Sequence, residues 1–153
     1  MKAVIQRVTE ARVEVDGAIT GKCGEGLMIL LGVAKGDSEL DADLLAKKIC
    51  NLRIFTDEND KMNLSVKDIE GEALVISQFT LMANYKHGNR PDYMESAPLD
   101  EANRLYEYFK SLMSKELKHV GSGVFGAHMQ VSLTNNGPVT IVMDSEVLKK
   151  KAN

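Results

Sequence analysis

The sequence contains few of the residues on which several large classes of protein depend. It has two cysteines, three histidines and no tryptophan among 153 residues. Cys23 and Cys50 do not form a C-x-x-C pair, so neither a disulfide framework nor a structural zinc site is expected. The histidines also lack the spacing of metal ligands. We therefore expect a protein that uses no metal and no other cofactor.

Long apolar runs are also missing. The longest one, residues 27–34, is far too short to cross a bilayer. Residues 1–7 turn polar before the apolar segment of a signal peptide could form. These absences predict a cytoplasmic protein with no membrane partner.

An excess of positive charge is the third absence. The formal net charge is -3, whereas proteins that follow long stretches of nucleic acid usually display a basic surface. The charge argues against an extended nucleic-acid footprint, and we expect no DNA partner. An enzyme that holds only the end of a nucleic acid needs few phosphate contacts, so the acidic net charge does not exclude such an enzyme.

The composition is otherwise that of a globular protein, with 44% hydrophobic and 27% charged residues. Strand and helix patterns alternate along the chain, which predicts a single compact α/β domain, residues 1–145, with a mixed sheet and flanking helices. Residues 146–153 are expected to form a basic C-terminal tail outside the domain, frayed at lysines 149–151. The patterns predict strands at 2–8, 11–15, 18–20, 27–33, 53–55, 73–79, 128–134 and 139–143, and helices at 38–52 and 99–117.

Hydroxyl and amide side chains follow a buried strand at Ser77-Gln78-Phe79-Thr80-Leu81. In α/β folds ligands bind beyond the carboxyl ends of the strands, so this segment is a candidate site. A nucleophilic Thr80 needs an adjacent base, and none lies near it in sequence. A binding role and simple satisfaction of backbone groups at the strand end are both open, and a catalytic Thr80 is the least favoured interpretation.

Two further segments each allow two interpretations. Residues 135–140, Asn-Asn-Gly-Pro-Val-Thr, form an ordinary β-turn, or a rigid backbone surface if the Gly-Pro bond is cis. Phe125 and Met129 lie four residues apart on a predicted strand and share one face. They serve as core residues or as an apolar platform for a base, where stacking is worth about 1–3 kcal/mol.

Together, S-Q-x-T-L at residues 77–81 and N-x-G-P-x-T at residues 135–140 resemble the D-aminoacyl-tRNA deacylase family. The resemblance runs in order from residue 1 to about residue 144. Supporting matches are Ile5–Val8, Arg53–Phe55, Lys61–Leu64, Arg90–Pro91 and Met129–Leu133.

The resemblance implies a homodimer with the fold of that family. Such an enzyme hydrolyses the ester between a D-amino acid, or mischarged glycine, and the acceptor end of tRNA. A cis Gly137-Pro138 of one subunit would enter the partner's pocket and reject L-amino acids sterically. Arg7, Asn135 and Thr140 would support that segment.

By the same resemblance, Ser77, Gln78, Phe79 and Thr80 line the opposite wall of the pocket. Phe125 and Met129 receive the terminal adenine. The 2′-OH of the terminal ribose activates the attacking water, and backbone N–H groups near Phe79 and Thr80 stabilise the oxyanion. Gln78 belongs to the catalytic set, and Thr80 is expected to position groups rather than to attack.

Two other classes of function stay open at this point: an RNA-binding module without chemistry, and a hydrolase of free D-amino-acid esters or peptides. The net charge mildly favours the second, because it requires no phosphate contacts. If tRNA is the substrate, Lys86, Arg90 or lysines 149–151 are the candidates for those contacts.

Overall fold

The computed structural model describes residues 1–150. In chain order the elements are β1 (Lys2–Val15), β2 (Ala18–Cys23), β3 (Gly26–Gly32), α1 (Glu39–Cys50), β4 (Phe55–Thr56), β5 (Met62–Leu64), β6 (Glu72–Ser77), a 3-10 turn (Phe79–Met82), α2 (Leu99–Glu116), β7 (Val120–Ser122), β8 (Gln130–Asp144) and α3 (Ser145–Lys149). Within residues 1–150, no helix has the length and apolarity needed to cross a membrane.

The long strand β1 organises the main sheet. Along one edge it pairs antiparallel with β8. Along its other edge the first half of β1 pairs antiparallel with β3 and the second half with β2. Beyond β3 the pairing becomes parallel, through β6 to β7. The sheet is therefore mixed, which confirms the predicted fold class. Because β3, β6 and β7 run in the same direction, their carboxyl ends meet at one edge of the sheet.

The sheet curls until β2 lies against β7. The backbones approach so closely that a Cβ built on Gly121 would lie 2.5 Å from the carbonyl oxygen of Lys22. Only glycine permits this approach. The curl gives the sheet an inner face and a face covered by helices.

Each face of the sheet has its own apolar core. In β3 and β6 successive residues point to opposite faces: Met28 and Leu74 are buried in the inner core, and Ile29 and Val75 under the helices. α1 and α2 close the second core with their regularly spaced apolar residues, as the sequence predicts. These are chiefly Leu45, Ile49, Leu105, Phe109 and Met113.

The predicted start of α1 is also confirmed. Ser38 donates its backbone N–H to the carboxylate of Asp41 at 2.8 Å, as in a capping box.

The expected turn at residues 135–138 is wrong. Residues 130–144 form one continuous strand, and the pairing with β1 is interrupted only by irregularities between Gln6 and Val8 and between Val8 and Glu10. The Asn-Asn-Gly-Pro segment is a bulge in β8 opposite Arg7. Asn and Gly do break the regular ladder here, but β1 supplies a partner on both sides of the break, so the strand resumes in the same direction.

The expected frayed tail is also wrong as far as Lys149. Asp144 caps α3 by accepting the N–H of Glu146 at 3.0 Å, and Lys149 forms an ion pair with the buried Asp41 at 2.7 Å. Ser145 is buried and donates its hydroxyl to Asp41 at 2.6 Å. α3 is thereby attached to α1. Residues 151–153 of the predicted tail lie outside the described residues.

Candidate active site

A cavity of about 760 Å³ opens at the sheet edge where β3, β6 and β7 end. Its wall is formed by the ends of two strands, the segment before α2, the first turns of α2 and the loop between β7 and β8. The lining residues are Val33, Ile76, Ser77, Gln78, Phe79, Tyr93, Ser96, Ala97, Pro98, Leu99, Ala102, Phe125, Gly126, Ala127, His128, Met129 and Val131.

The first motif forms one side of this cavity. Ser77 ends β6, and Gln78 donates its backbone N–H to the carbonyl of Leu31 at 2.8 Å, which ties the motif to β3. The chain then makes a single 3-10 turn in which Phe79 is 52% exposed toward the opening. Ser77, Gln78 and Phe79 line the cavity, and Thr80 is not among its lining residues.

Thr80 is held by its neighbour rather than by a base. The side-chain amide of Gln78 donates a hydrogen bond to the hydroxyl oxygen of Thr80. Among residues 1–150, no histidine or carboxylate is hydrogen bonded to that hydroxyl. The backbone N–H groups of Phe79 and Thr80, which open the turn, have no acceptor in the same range, as is usual for the first N–H groups of a helix.

Phe125 and Met129 line the same cavity. They lie in the loop between β7 and β8, so the strand predicted there begins only at Gln130. The Phe125 ring packs on Tyr106 of α2, with 6.1 Å between ring centroids. Tyr106 is buried and donates its hydroxyl to the carbonyl of Val75 at 2.8 Å. Desolvation raises the pKa of Tyr106 to about 12, and the hydroxyl bond joins α2 to β6 beneath the Phe125 ring.

Sequence reasoning missed part of the wall. Tyr93 packs edge-on against Phe79, with 5.0 Å between ring centroids, and residues 96–99 close that side. They are brought there by backbone bonds from Ala97 to Val33 at 3.0 Å and from Lys35 to Glu95 at 2.9 Å. No periodic pattern in residues 83–97 predicts these contacts.

His128 was also missed as a site residue. It lines the cavity together with Phe125 and Met129. Strand alternation with Met129 instead predicts a surface residue that faces away from Met129. Because residues 123–129 form a loop, strand alternation does not apply to them. His128 and Tyr93 are the titratable side chains in the lining.

The second motif forms a separate group at the bulge of β8. Asn135 brackets it: its side-chain amide donates to the carbonyls of Arg7 at 3.1 Å and Val139 at 3.0 Å, and its carbonyl accepts the N–H of Val139 at 3.4 Å. Gly137 and Pro138 are exposed at the tip, and the peptide bond between them is cis.

Arg7 of the neighbouring strand β1 holds the bulge by hydrogen bonds. Its guanidinium donates to the carbonyl of Asn136 at 2.6 Å and to that of Ile54 at 2.7 Å, which joins the bulge to the segment before β4. Thr140 lies just beyond and accepts a hydrogen bond from the side chain of Gln6 at 3.3 Å. None of Arg7, Asn135, Gly137, Pro138 and Thr140 lines the cavity of its own chain.

Comparison with known proteins identifies the family of the chain. The family described as D-Tyr-tRNA(Tyr) deacylase matches residues 4–144. A D-aminoacyl-tRNA deacylase of Thermosipho africanus is 56% identical over 146 residues, which cover 95% of this chain and 98% of that protein. The protein of the same name from Geobacter sulfurreducens is 52% identical over 146 residues, with 95% and 96% covered.

A solved structure gives the same result for the fold. The protein named c-Myc DNA Unwinding Element Binding Protein superimposes with a TM-score of 0.89 at 40% sequence identity, covering 94% of this chain and 98% of that one. The predicted family and enzyme class, a D-aminoacyl-tRNA deacylase, are confirmed. The chain belongs to the D-Tyr-tRNA(Tyr) deacylase family.

Proposed function

We propose that this chain hydrolyses D-aminoacyl-tRNA in the cavity between the Ser77–Thr80 turn and the Phe125–Met129 platform. The observation that carries the proposal is that these two segments, far apart in sequence, both line one cavity of about 760 Å³. Cavities of roughly 300–1,000 Å³ take ligands the size of a nucleoside with a small substituent.

The platform binds the terminal adenine. Phe125 offers an aromatic face and Met129 a polarisable thioether, and stacking of a base on such a surface is worth about 1–3 kcal/mol. Because Phe125 is braced by the buried Tyr106, the platform is rigid before the substrate arrives. The ester is then directed toward the Ser77–Thr80 turn, at Phe79.

The turn at Phe79 stabilises the charge that develops on the ester carbonyl. The free N–H groups of Phe79 and Thr80 are donors of the kind found in oxyanion holes. Thr80, which is bound by Gln78 and has no base, orients this turn and does not attack the ester. The 2′-OH of the terminal ribose assists the attacking water, so the cavity requires no carboxylate.

The bulge of β8 selects the D-enantiomer in the cavity of a second copy. Gly137 and Pro138 are exposed and lie outside the cavity of their own chain, so they act on a substrate only across a homodimer. A backbone wall braced by Asn135 and Arg7 excludes an L side chain by collision, which discriminates more strongly than a difference in attraction. Glycine has no side chain to exclude, so glycyl-tRNA is also hydrolysed.

A deacylation assay tests the reaction and its stereochemistry. D-tyrosyl-tRNA, glycyl-tRNA, L-tyrosyl-tRNA and D-tyrosine ethyl ester are compared at equal concentration. We expect hydrolysis of the first two only. Equal hydrolysis of D- and L-tyrosyl-tRNA contradicts the selection mechanism, and activity on the free ester alone contradicts tRNA as the substrate.

Subunit mixing tests whether the bulge acts across a dimer. A variant with a damaged bulge, Asn135→Ala, is mixed with a variant with a damaged cavity, Phe125→Ala. A mixed dimer combines an intact cavity with an intact partner bulge, so we expect mixing to restore D-selective hydrolysis. Selectivity that never recovers, or a monomer by analytical ultracentrifugation, contradicts the proposal.

The proposed location is the cytoplasm, where aminoacyl-tRNA is used.

The name of the 40% identical protein points to a second candidate function, binding of a DNA element. It ranks second because the more similar relatives are named as deacylases and because the net charge of -3 disfavours a long nucleic-acid footprint. Binding of a single-stranded oligodeoxynucleotide that does not compete with D-tyrosyl-tRNA favours this second function.

A further inference from the structure

A hairpin loop, residues 84–92, is joined at both ends to the wall of the cavity, between the Phe79 turn and Tyr93. Asn84 and Asp92 close its base with two backbone hydrogen bonds, of 2.8 and 3.0 Å. The Asn84 side follows the turn that carries Phe79, and Asp92 immediately precedes Tyr93. Because Phe79 and Tyr93 pack together in the cavity wall, the base of the loop is fixed to that wall.

The tip of this loop carries a local positive charge on an acidic protein. Residues 84–91 include Lys86, His87 and Arg90 and no acidic residue, while the net charge of the whole chain is -3. Lys86 and Arg90 are both exposed. Neither forms an ion pair with any residue in the range 1–150.

The structure also separates these cations from Lys149. Lys149 is held by the carboxylates of Asp41 at 2.7 Å and Glu146 at 2.8 Å. It is therefore neutralised within its own chain and is a poor candidate for a phosphate contact. Lys86 and Arg90, by contrast, are exposed and belong to a loop whose base is joined to the cavity wall.

Lys86 and Arg90 are close enough to the base of the loop to contact a nucleic-acid strand that leaves the cavity. Lys86 and Arg90 are each two residues from the base of the loop, so each Cα lies within about 7 Å of the Cα of Asn84 or Asp92. Tyr85, beside Lys86, is 81% exposed. Cations that meet the backbone, together with an aromatic ring on which a base stacks, are the usual means of holding single-stranded nucleic acid.

We infer that the 84–92 loop holds the single-stranded acceptor end of the tRNA just outside the cavity. Lys86 and Arg90 bind phosphates on the 5′ side of the terminal nucleotide, and Tyr85 stacks on a neighbouring base. The inference rests on the proposed function, because it takes tRNA as the substrate. It adds to the proposed function the path of the RNA on the 5′ side of the reacting nucleotide. It also limits the number of phosphates that the protein contacts to about two.

The test compares two double variants that remove the same charge. Lys86→Gln/Arg90→Gln changes the loop, and Lys47→Gln/Lys48→Gln changes two exposed lysines of α1 that do not line the cavity. kcat and KM are measured over a range of KCl concentrations for D-tyrosyl-tRNA and for 3′-D-tyrosyl-adenosine, which has no upstream phosphate.

For the loop variant we expect KM for D-tyrosyl-tRNA to rise about tenfold at low salt, with kcat unchanged. The slope of log KM against log salt should fall by about 1.4, since each single-strand phosphate contact contributes about 0.7. KM for 3′-D-tyrosyl-adenosine and all values for the α1 variant should stay as in the wild type. Tyr85→Ala should raise KM for the tRNA substrate without changing the slope.

A loop variant that behaves like the α1 variant overturns the inference. An equal rise in KM for both substrates also overturns it, because the loop would then act through the cavity wall. An unchanged KM in Tyr85→Ala contradicts the stacking role. If the wild type cleaves neither substrate, the proposed function fails, and fluorescence anisotropy of uncharged tRNA with the same variants then decides the loop inference by the same slopes.

Discussion

The two motifs of this chain differ in how they are held and in what they face. The Ser77–Thr80 segment directly continues a buried strand, and its residues Ser77, Gln78 and Phe79 line a cavity of their own chain. The Gly137-Pro138 bulge interrupts an edge strand, is held by side chains and lies outside that cavity. The first motif is complete in one chain. The second does not line that cavity, which is the physical reason for proposing that it acts on the cavity of a second copy.

The first expected effect is at the bulge. Asn135→Ala removes the three hydrogen bonds that bracket residues 136–138. Leaving half-buried backbone groups without partners costs about 1–3 kcal/mol of unfolding free energy. We expect the rate ratio for D- over L-tyrosyl-tRNA to fall at least about tenfold, because the wall that excludes L side chains is no longer fixed. The measurements are urea denaturation and the deacylation assay; unchanged selectivity contradicts the role of the bulge.

The second effect concerns the platform. Phe125→Ala removes the aromatic face and its contact with Tyr106. We expect KM for D-tyrosyl-tRNA to rise about 10- to 100-fold, from a stacking free energy of about 1–3 kcal/mol. The D/L ratio should stay near the wild-type value, in contrast to Asn135→Ala. If Phe125→Ala loses selectivity and keeps its KM, the cavity and the bulge do not have separate functions.

The third effect tests the turn. Thr80→Ala should lower kcat by about tenfold, because it removes the partner of Gln78 while leaving the backbone N–H donors in place. Loss of a true nucleophile costs about 10⁴-fold or more. Single-turnover kinetics separate these results. Complete loss of hydrolysis with unchanged substrate binding would make Thr80 a catalytic group rather than a positioning residue.

The fourth effect concerns the anchor at the end of the bulged strand. Burial raises the pKa of Asp41, but hydrogen bonds from Lys149, Ser145 and Ser38 outweigh it and hold the pKa at about 2, below its ordinary 3.8. Since the folded-state pKa is the lower one, this carboxylate stabilises the fold above about pH 4 and ceases to do so as the pH falls through about 2.

Asp41→Asn should therefore cost about 1–2 kcal/mol of unfolding free energy at pH 7, and the difference should vanish near pH 2. The matched control is Glu146→Gln, which removes the exposed partner of the same Lys149 and should cost well under about 1 kcal/mol. Urea denaturation at several pH values measures both. Equal stability of Asp41→Asn and wild type at pH 7 contradicts the anchor.

The smallest expected effect is at His128. If the 2′-OH of the substrate assists the attacking water, His128→Asn should leave kcat and its pH profile unchanged, although His128 lines the cavity. A loss of about 100-fold or more, with a new pH profile, would instead identify His128 as a general base. A substrate with a 2′-deoxy terminal ribose provides the complementary measurement, and we expect its hydrolysis to be strongly reduced.

Local patterns were sufficient for most of the fold and for half of the site. The glycine-bounded apolar runs of β3 and β6 and the apolar face of α2 are properties of neighbouring residues, and they form as predicted. The Ser77–Phe79 wall follows from one of these strands. The loop at 123–129 and the Tyr93 side of the wall could not be predicted, because they depend on contacts with α2 and the end of β3.

Residues adjacent in sequence thus determined the mixed α/β class, the helices and both family motifs, since periodicity and turn chemistry act over a few residues. Tertiary structure decided what became of those motifs. Asn135-Asn136-Gly137-Pro138 has the composition of a turn, yet pairing with β1 on both sides makes it a bulge in a single strand. The basic tail becomes a helix as far as Lys149 because Asp41, more than a hundred residues earlier, pairs with it. In each case a hydrogen bond or ion pair to a distant residue outweighs the local preference.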